Sequence, residues 1–126
     1  MTRLLFVGLG GFLGAMSRYL ISGWAQELTG SSFPLGTLVV NVAGSFFLAF
    51  LAILAFESGH LPVNLRLFFL TGMLGAFTTY STFSYETLQL MRDSLHRMYL
   101  LNIASNTIFS LAGAWLGFIF AHYLKG

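Results

Sequence analysis

The chain has 126 residues, a net charge of +2, 56% hydrophobic residues and only 8% charged residues. Soluble domains carry about 25% charged residues, so this chain has too few to cover a water-soluble protein of its size. The mean hydropathy of +0.79 also excludes a disordered chain. The composition therefore indicates an integral membrane protein of one domain, and the small positive charge excludes a nucleic-acid partner.

Four apolar stretches are each long enough to cross a hydrocarbon core of about 30 Å, which takes about 20 helical residues. The predicted helices run roughly over Leu4–Ala25, Phe33–Phe56, Leu65–Leu90 and Met98–Leu124. Charged and turn-forming residues separate them, in the segments Glu27–Ser32, Glu57–Asn64 and Arg92–Arg97. We therefore predict an all-α fold in which residues 1–126 form a single four-helix transmembrane domain. The short loops make successive helices antiparallel.

Two pairs of glycines lie four residues apart within the predicted helices. They are Gly10 with Gly14, and Gly113 with Gly117. Such pairs let helix backbones approach closely in lipid, where packing drives association. We interpret both pairs as sites of close helix packing.

The distribution of positive residues does not favour one orientation of the chain in the membrane. Arg3, Arg66 and Lys125 lie on the side of the N-terminus, and Arg92 and Arg97 lie on the other, with Arg18 near that end of the first helix. A chain without bias inserts both ways up, and two opposite copies pair about an axis in the membrane plane. We expect an antiparallel homodimer. The alternative is a single, weakly specified orientation.

Polar side chains recur every fourth residue on two otherwise apolar helices, so each set shares one face. The residues are Thr37, Asn41 and Ser45 on the second predicted helix, and Asn102, Asn106 and Ser110 on the fourth. Polar groups inside a membrane span are functional candidates by default. We interpret the two faces as a polar seam for ions. The alternative is hydrogen bonding that only holds the helices together.

The third predicted helix has five Ser or Thr residues and Tyr80 between positions 78 and 84, shortly after Gly72 and Gly75. Ser and Thr compete for backbone hydrogen bonds, and glycine weakens a helix. We predict that the helix is broken near Gly75 to Thr79, which exposes carbonyls that coordinate a cation. The alternative is a continuous helix that is rich in hydroxyls.

Beyond the predicted break, Tyr80 and Phe83 project on one side of the helix. Ring edges are electropositive, and the side chains of Ser81, Thr82, Ser84 and Asn41 donate hydrogen bonds. Neutral donors and ring edges together suit a small, hard anion, whose water they must replace. Ordinary core packing is the alternative for the two rings.

Two charges lie within or near the predicted spans. Arg18 lies roughly 20 Å along the first helix at 1.5 Å per residue, where it would draw anions into a vestibule. Glu86 follows Phe83 by one turn, and we expect it to pair with Arg18. The alternative for Arg18 is contact with lipid headgroups.

Three segments resemble motifs of the Fluc (CrcB) family of bacterial fluoride channels. The segments are GGFLGAMSRY at residues 10–19, GTLVVNVAGSF at 36–46 and GMLGAFTTYSTFS at 72–84. They cover three of the four predicted helices. The resemblance implies a fluoride-selective channel that exports fluoride passively, formed by an antiparallel dual-topology homodimer with two pores in the bacterial inner membrane.

The resemblance also implies roles for individual residues. It implies a sodium ion at the dimer centre, held by the backbone carbonyls of Gly75 and Thr78 from each subunit. Arg18 and Glu86 would line the vestibule. The fluoride pathway would be formed by Asn41, by a pair of aromatic rings with two neighbouring hydroxyls, and by a polar track. These residues are Asn41, Tyr80, Ser81, Thr82, Phe83, Thr37, Asn106 and Ser110.

One residue departs from the family pattern. Position 80 is Tyr80, where the family has phenylalanine. The tyrosine keeps the ring and adds a hydroxyl, which either donates to an anion or narrows the pore. We expect folding and dimerisation to tolerate this small polar group.

Other functions lack the residues that they need. A small multidrug exporter coupled to protons needs a carboxylate deep in a span, but Glu27, Glu57, Glu86 and Asp93 all lie in or near loops or helix ends. A structural membrane subunit remains an alternative that predicts no ion flux. An enzyme is not expected, because the sequence offers no nucleophile–base pair or set of metal ligands, and it has no cysteine.

Overall fold

The computed structural model describes residues 1–57, 59 and 61–126. The helices are α1 (Thr2–Thr29), α2 (Leu35–Glu57), α3 (Val63–Arg66), α4 (Gly75–Phe77), α5 (Tyr80–Arg92) and α6 (His96–Lys125), and Leu67–Leu74 form a π-helix between α3 and α4. The described residues contain no strand, so the predicted all-helical fold is confirmed. Ser58 and His60, in the predicted second loop, lie outside the described residues.

Three helices within the described ranges are long and apolar enough to cross a membrane, namely α1, α2 and α6. The 23 residues of α2 span about 35 Å at 1.5 Å per residue. The first helix continues beyond its predicted end at Ala25 and stops at Thr29, where Gly30 adopts φ 55°. This left-handed conformation is the usual helix stop, and glycine adopts it without strain.

The third apolar stretch is a series of shorter helical pieces. Its first half passes from α3 into the wider π-helix and then into α4. After α4, Thr78 (φ −81°, ψ 155°) and Thr79 (φ −152°, ψ 112°) are extended, and α5 begins at Tyr80. The backbone is therefore non-helical at these two threonines, between the two halves of the segment.

Glycines bring α1 into backbone contact with the π-helix. A Cβ atom on Gly10 would collide with the carbonyl oxygen of Phe68, and one on Gly14 would collide with that of Met73. On the facing side, a Cβ on Gly72 would collide with the carbonyl oxygen of Val7. Such close approach requires glycine, because a backbone atom has no side-chain freedom with which to move aside.

Helix α2 packs along α6 more extensively than any other pair of described elements. A Cβ on Gly113 would lie 2.9 Å from the carbonyl oxygen of Val42, and one on Gly117 would collide with that of Phe46. Val40 on α2 and Ala121 on α6 are completely buried. Both predicted glycine pairs thus lie at helix contacts within one chain.

Much apolar surface stays uncovered. The accessible surface of the chain is 7988 Å², against about 6,700 Å² for a soluble monomer of this mass. Large apolar side chains are exposed along α1 and α6, including Phe12, Trp24, Leu111 and Trp115. A surface of this kind is stable in contact with lipid or with another membrane-embedded chain.

Candidate functional site

The site is built around the two extended threonines. Thr79 is buried and caps α5, because its Oγ1 accepts a hydrogen bond from the amide of Thr82 at 3.3 Å. Threonine is a common N-cap, since its oxygen satisfies an amide that has no partner in the helix. The neighbouring hydroxyls of Ser81 and Thr82 lie 3.4 and 3.0 Å from the same Oγ1. The hydroxyl-rich sequence therefore defines where the second half of the segment starts.

Asn41 on α2 forms two hydrogen bonds with the backbone of Thr79. Its Oδ1 accepts from the Thr79 amide at 2.8 Å, and its Nδ2 donates to the Thr79 carbonyl at 3.1 Å. One turn further along α2, Gly44 leaves room for Thr78, whose Cγ2 occupies the place where a Cβ would stand. One carboxamide thus replaces the two backbone hydrogen bonds that helical geometry would have supplied to Thr79.

A chain of hydrogen bonds continues from Asn41 into α6 and α5. Asn41 Nδ2 donates to Asn106 Oδ1 at 3.1 Å, and Asn106 Nδ2 donates to Asn102 Oδ1 at 2.9 Å. Asn102 Nδ2 donates to Thr87 Oγ1 at 2.9 Å, and Thr87 Oγ1 donates to the carbonyl of Phe83 at 2.7 Å. We call these four side chains, Asn41, Asn106, Asn102 and Thr87, the amide relay. It links three helices through polar groups that are largely buried.

An open cavity of about 390 Å³ lies between α2, α5 and α6, beside the two extended threonines. We call it the central cavity. Its polar lining consists of carboxamides and hydroxyls, and its apolar lining includes the two rings of α5. The lining carries no formal charge. These residues are Asn41, Ser45, Leu48, Thr78, Thr79, Tyr80, Phe83, Asn106, Thr107, Ser110 and Leu111.

The two rings differ in exposure. The centroids of Tyr80 and Phe83 are 5.2 Å apart, with 57° between the ring planes. Phe83 is buried, whereas Tyr80 is 78% exposed. In a single chain one ring is thus fixed by packing and the other projects away from the bundle.

Two further cavities lie toward the other end of the site. One, of about 430 Å³, is lined by Thr37, Thr82 and Glu86, among others, and a smaller one of about 210 Å³ is lined by Arg18, Thr37 and Thr82. Glu86 Oε1 accepts from the hydroxyl of Thr37 at 2.8 Å, while Oε2 is buried without a partner in the described chain.

The expected ion pair between Arg18 and Glu86 does not form. In the described chain the ion pairs are those of Glu57 with Lys125 and with His122. Glu86 instead accepts from Thr37, because α5 packs its carboxylate against α2, and Arg18 lines the neighbouring cavity without reaching it. The two residues are close in the fold, but through shared neighbours.

The structure places the eight predicted pathway residues in three different surroundings. Five of them share the central cavity, and Thr37 and Thr82 line the two cavities near Arg18 and Glu86. Ser81 is exposed on α5. The five are Asn41, Tyr80, Phe83, Asn106 and Ser110.

Sequence reasoning gave no role to Thr87 or Thr79. Thr87 follows Phe83 by one turn on α5, so both lie on its buried face. A threonine at a buried position was the one feature of the sequence that could have indicated a role for Thr87. Nothing in the spacing of α5 indicates that Asn102 of α6 lies 2.9 Å away. Thr79 belonged to the predicted break, but its capping of α5 and its pairing with Asn41 need the fold.

The carbonyls of Gly75 and Thr78 are suited in chemistry to a hard cation such as sodium, which prefers neutral or anionic oxygen ligands. The amide of Thr79 donates to Asn41 and not to the carbonyl of Gly75 four residues earlier. Thr78 is extended, so its carbonyl leaves the helical direction. Gly75 is exposed, and a Cβ there would meet only Leu70 O at 3.7 Å.

These features define a helical membrane protein with a neutral, polar cavity beside a helix interruption. Residues 5–118 match the family described as CrcB-like protein, Camphor Resistance (CrcB). The chain therefore belongs to the CrcB family.

Relatives with assigned names match along almost the whole chain. The chain is 44% identical to fluoride-specific ion channel FluC 1 of Methanosarcina acetivorans, covering 100% of this chain and 98% of that protein. It is 46% identical to fluoride-specific ion channel FluC of Nitratiruptor, over 95% and 92% of the two chains. It is 47% identical to that of Sulfurovum, over 98% and 96%.

Proposed function

We propose that this chain is a fluoride-selective ion channel that lets fluoride leave the cytoplasm passively. The observation that carries the proposal is the central cavity, whose polar lining is entirely neutral, in a chain of the CrcB family whose relatives are named fluoride-specific channels. As a channel it is not an enzyme. The membrane potential contributes about 2.3 kcal/mol per charge per 100 mV, so efflux of an anion needs no coupled energy source.

The pathway replaces the water around fluoride with neutral hydrogen-bond donors and ring edges. Ser45 and Ser110 bring hydroxyls to the central cavity. Tyr80 and Phe83 bring two aromatic rings, whose centroids lie 5.2 Å apart. Neutral donors compensate the loss of hydration without trapping the anion, as a fixed positive charge would. Both N–H groups of Asn41 are already bonded to Thr79 and Asn106. Fluoride therefore competes with a protein oxygen for one of them.

The cavities on the Arg18 side form the vestibule. Arg18 attracts anions there, and the hydroxyls of Thr37 and Thr82 lead from it toward Thr79. Ser81, exposed at the start of α5, adds a hydroxyl next to Thr82. Glu86 lines the same vestibule, and its Oε1 accepts the hydroxyl proton of Thr37, so an anion at this point competes with the carboxylate for that proton.

The functional unit is an antiparallel homodimer with two pores. Exposed hydroxyls on α5, including Tyr80, Ser81 and Ser84, are costly against lipid, and a second copy would cover them. The exposed Gly75 fits a close approach by that copy, because no contact among the residues that the structure describes explains a glycine there. Each chain is a single four-helix transmembrane domain over residues 1–126. The site of action is the bacterial inner membrane.

A structural sodium ion at the centre of this dimer would be held by the carbonyls of Gly75 and Thr78. One chain supplies two such oxygens near the interruption, so complete coordination needs the same pair from the second copy. When bound, the ion supplies positive charge that ties the two chains together. Exchange of sodium for a large organic cation is expected to shift the purified dimer toward monomer in size-exclusion chromatography.

The orientation is tested by side-specific labelling. The chain has no cysteine, so Gly126→Cys introduces a unique thiol at the exposed end of α6. An impermeant thiol reagent is expected to modify about half of the chains in intact cells and the other half only after the membrane is permeabilised. Labelling from one side alone would contradict dual topology, and the fluoride function would still stand.

The channel function is tested by efflux of fluoride from liposomes that contain the purified protein. A fluoride electrode follows the release after a potassium ionophore removes the charge barrier, and matched liposomes are loaded with chloride. Fluoride is expected to leave, and chloride to remain. Tyr80→Phe keeps the ring and is expected to keep the efflux. Equal release of both anions would contradict a fluoride-selective channel.

A further inference from the structure

We propose that Thr87 and Asn102 are positioning residues of the fluoride pathway, which act through the amide relay without lining the central cavity themselves. Asn41 and Asn106 line that cavity, whereas Asn102 lies behind its wall and Thr87 lines a neighbouring open cavity. The inference rests on the proposed channel function. It adds two residues whose task is to fix the orientation of the carboxamides that the anion passes.

The hydroxyl of Thr87 determines the direction of hydrogen-bond donation along the amide relay. A hydroxyl has one proton, and that of Thr87 points to the carbonyl of Phe83 at 2.7 Å. Thr87 Oγ1 can therefore only accept from Asn102, whose side chain must present Nδ2 at 2.9 Å. This bond fixes the orientation of the Asn102 carboxamide. Its Oδ1 must then face the opposite direction, toward Asn106.

The assignment passes along the relay. Asn106 donates both of its N–H groups to Asn102, one to Oδ1 at 2.9 Å and one to the backbone carbonyl at 3.3 Å. Its Oδ1 is then left to accept from Asn41 Nδ2. The amide of Thr79, which needs an oxygen acceptor, fixes the other end through Asn41 Oδ1.

The two ends allow one arrangement of the three carboxamides. If Asn102 turned over, each later amide would have to turn too, and Asn41 would set an N–H against the amide of Thr79. Asn102, in the middle of the relay, is 0% exposed, so water cannot supply it with a substitute partner. Satisfied buried polar networks of this kind are rigid and specify one arrangement.

A fixed wall matters for a small anion. Preorganised dipoles stabilise a charge without the cost of reorienting when the charge arrives. If Asn106 were free to rotate, the spacing of donors in the central cavity would vary, and larger anions could be accommodated. Thr87 and Asn102 therefore set both the rate of fluoride passage and its preference over chloride.

The test compares Thr87→Val with Thr87→Ser by recording unitary fluoride and chloride currents in planar bilayers. Valine keeps the shape and removes the acceptor, so the unitary fluoride current is expected to fall about tenfold, the equivalent of one buried hydrogen bond, with measurable chloride current. Serine keeps the hydroxyl and is expected to restore both values. A merely structural role would reduce the number of channels and leave each current unchanged.

Ser105→Ala is the matched control, because Ser105 lies on α6 beside the relay and its hydroxyl bonds only to the backbone of its own helix, at Leu101 and Asn102. Its unitary current is expected to equal that of the wild type. Wild-type current and selectivity in Thr87→Val would overturn the proposal.

A second measurement covers the case in which Thr87→Val does not fold. In the wild-type protein, the side-chain amide protons of Asn102 and Asn106 are expected to exchange with deuterium at least tenfold more slowly than those of Asn64, at the start of α3, because they are buried and bonded. Exchange as fast as in Asn64 would refute the relay. A wild-type protein without fluoride current would instead refute the channel function, and the exchange rates would still decide the relay.

Discussion

The two ends of the contact between α2 and α6 are held together by different physics. At the amide end, Asn41 meets Asn106 through directional hydrogen bonds. At the aromatic end, Phe46, Phe50 and Phe120 pack with centroids 5.6 to 6.4 Å apart, next to Gly117. Apolar packing needs shape and volume alone, whereas amides also need a partner of the right type at each atom.

The difference shows how one pair of helices serves two purposes. The aromatic end brings α2 and α6 into register and tolerates apolar changes of similar volume. The amide end uses that register to hold Thr79 and the wall of the central cavity. Changes at the aromatic end should therefore affect stability, and changes at the amide end should affect transport.

The largest expected effect is that of Gly117→Leu. A Cβ at this position collides with the carbonyl oxygen of Phe46 and lies 3.2 Å from the amide of Phe50. The two helices would have to separate, at a cost of more than about 3 kcal/mol. We expect no monodisperse protein in size-exclusion chromatography. Gly8→Leu is the control, because nothing lies within 4 Å of a Cβ there; equal loss in both variants would contradict the packing argument.

Asn41→Leu is expected to have the next largest effect, and mainly on transport. It removes the partner of both backbone groups of Thr79, at about 1–3 kcal/mol for each unsatisfied group. We expect fluoride efflux per folded channel to fall by more than about 100-fold, about 2.8 kcal/mol in the barrier, because the variant loses a carboxamide of the cavity lining and the bonds that fix Thr79 beside it. Ser105→Ala, whose hydroxyl bonds to the backbone of its own helix, should retain most of the efflux. Near-normal efflux in Asn41→Leu would break the distinction between the two ends.

Phe50→Leu is expected to have a moderate effect that is confined to stability. It removes ring contacts with Phe46 and Phe120, worth about 1 kcal/mol. The thermal midpoint in detergent should fall by a few degrees, while the ratio of fluoride to chloride efflux stays unchanged. Phe12→Leu on the exposed face of α1 should change neither quantity. A loss of anion selectivity in Phe50→Leu would show that the aromatic end also shapes the pathway.

The smallest effect is expected for Glu57→Gln. This carboxylate bonds to Lys125 at 2.6 Å where α2 and α6 end, and both side chains are partly exposed. Pairs at such positions contribute little, because water and salt screen them. The thermal midpoint and the efflux should equal those of Glu27→Gln at the end of α1. A clear drop in the midpoint at low salt would assign this pair a structural role.

The helical architecture follows from the sequence because it depends on composition and length. Runs of apolar residues between Leu4 and Ala25, or between Phe33 and Phe56, allow only a helix in a membrane. The family is likewise indicated by three motifs in the sequence, and the match over residues 5–118 confirms it. The π-helix at Leu67–Leu74, which packs against the glycines of α1, has no comparable signal in the sequence.

The site is predictable to the level of faces but not of bonds. A spacing of four residues predicts that Asn102 and Asn106 share one face of the helix, and in the structure a hydrogen bond of 2.9 Å joins their side chains. The expected ion pair of Arg18 and Glu86 was wrong. Opposite charges and positions near the same end of the bundle suggested the pair, but the sequence does not show that α2 places the Thr37 hydroxyl against the Glu86 carboxylate. Pairings across helices, such as Asn102 with Thr87, depend on rotation and depth that one sequence does not contain.

Passage of fluoride through the central cavity is tested by blocking that cavity chemically. The natural chain has no cysteine, so Ser110→Cys puts a unique thiol in the cavity lining. Ile108→Cys puts one on the exposed face of the same helix. After modification with N-ethylmaleimide, fluoride efflux is predicted to stop in Ser110→Cys and to continue in Ile108→Cys. Continued efflux from fully modified Ser110→Cys would show that fluoride does not pass through the central cavity.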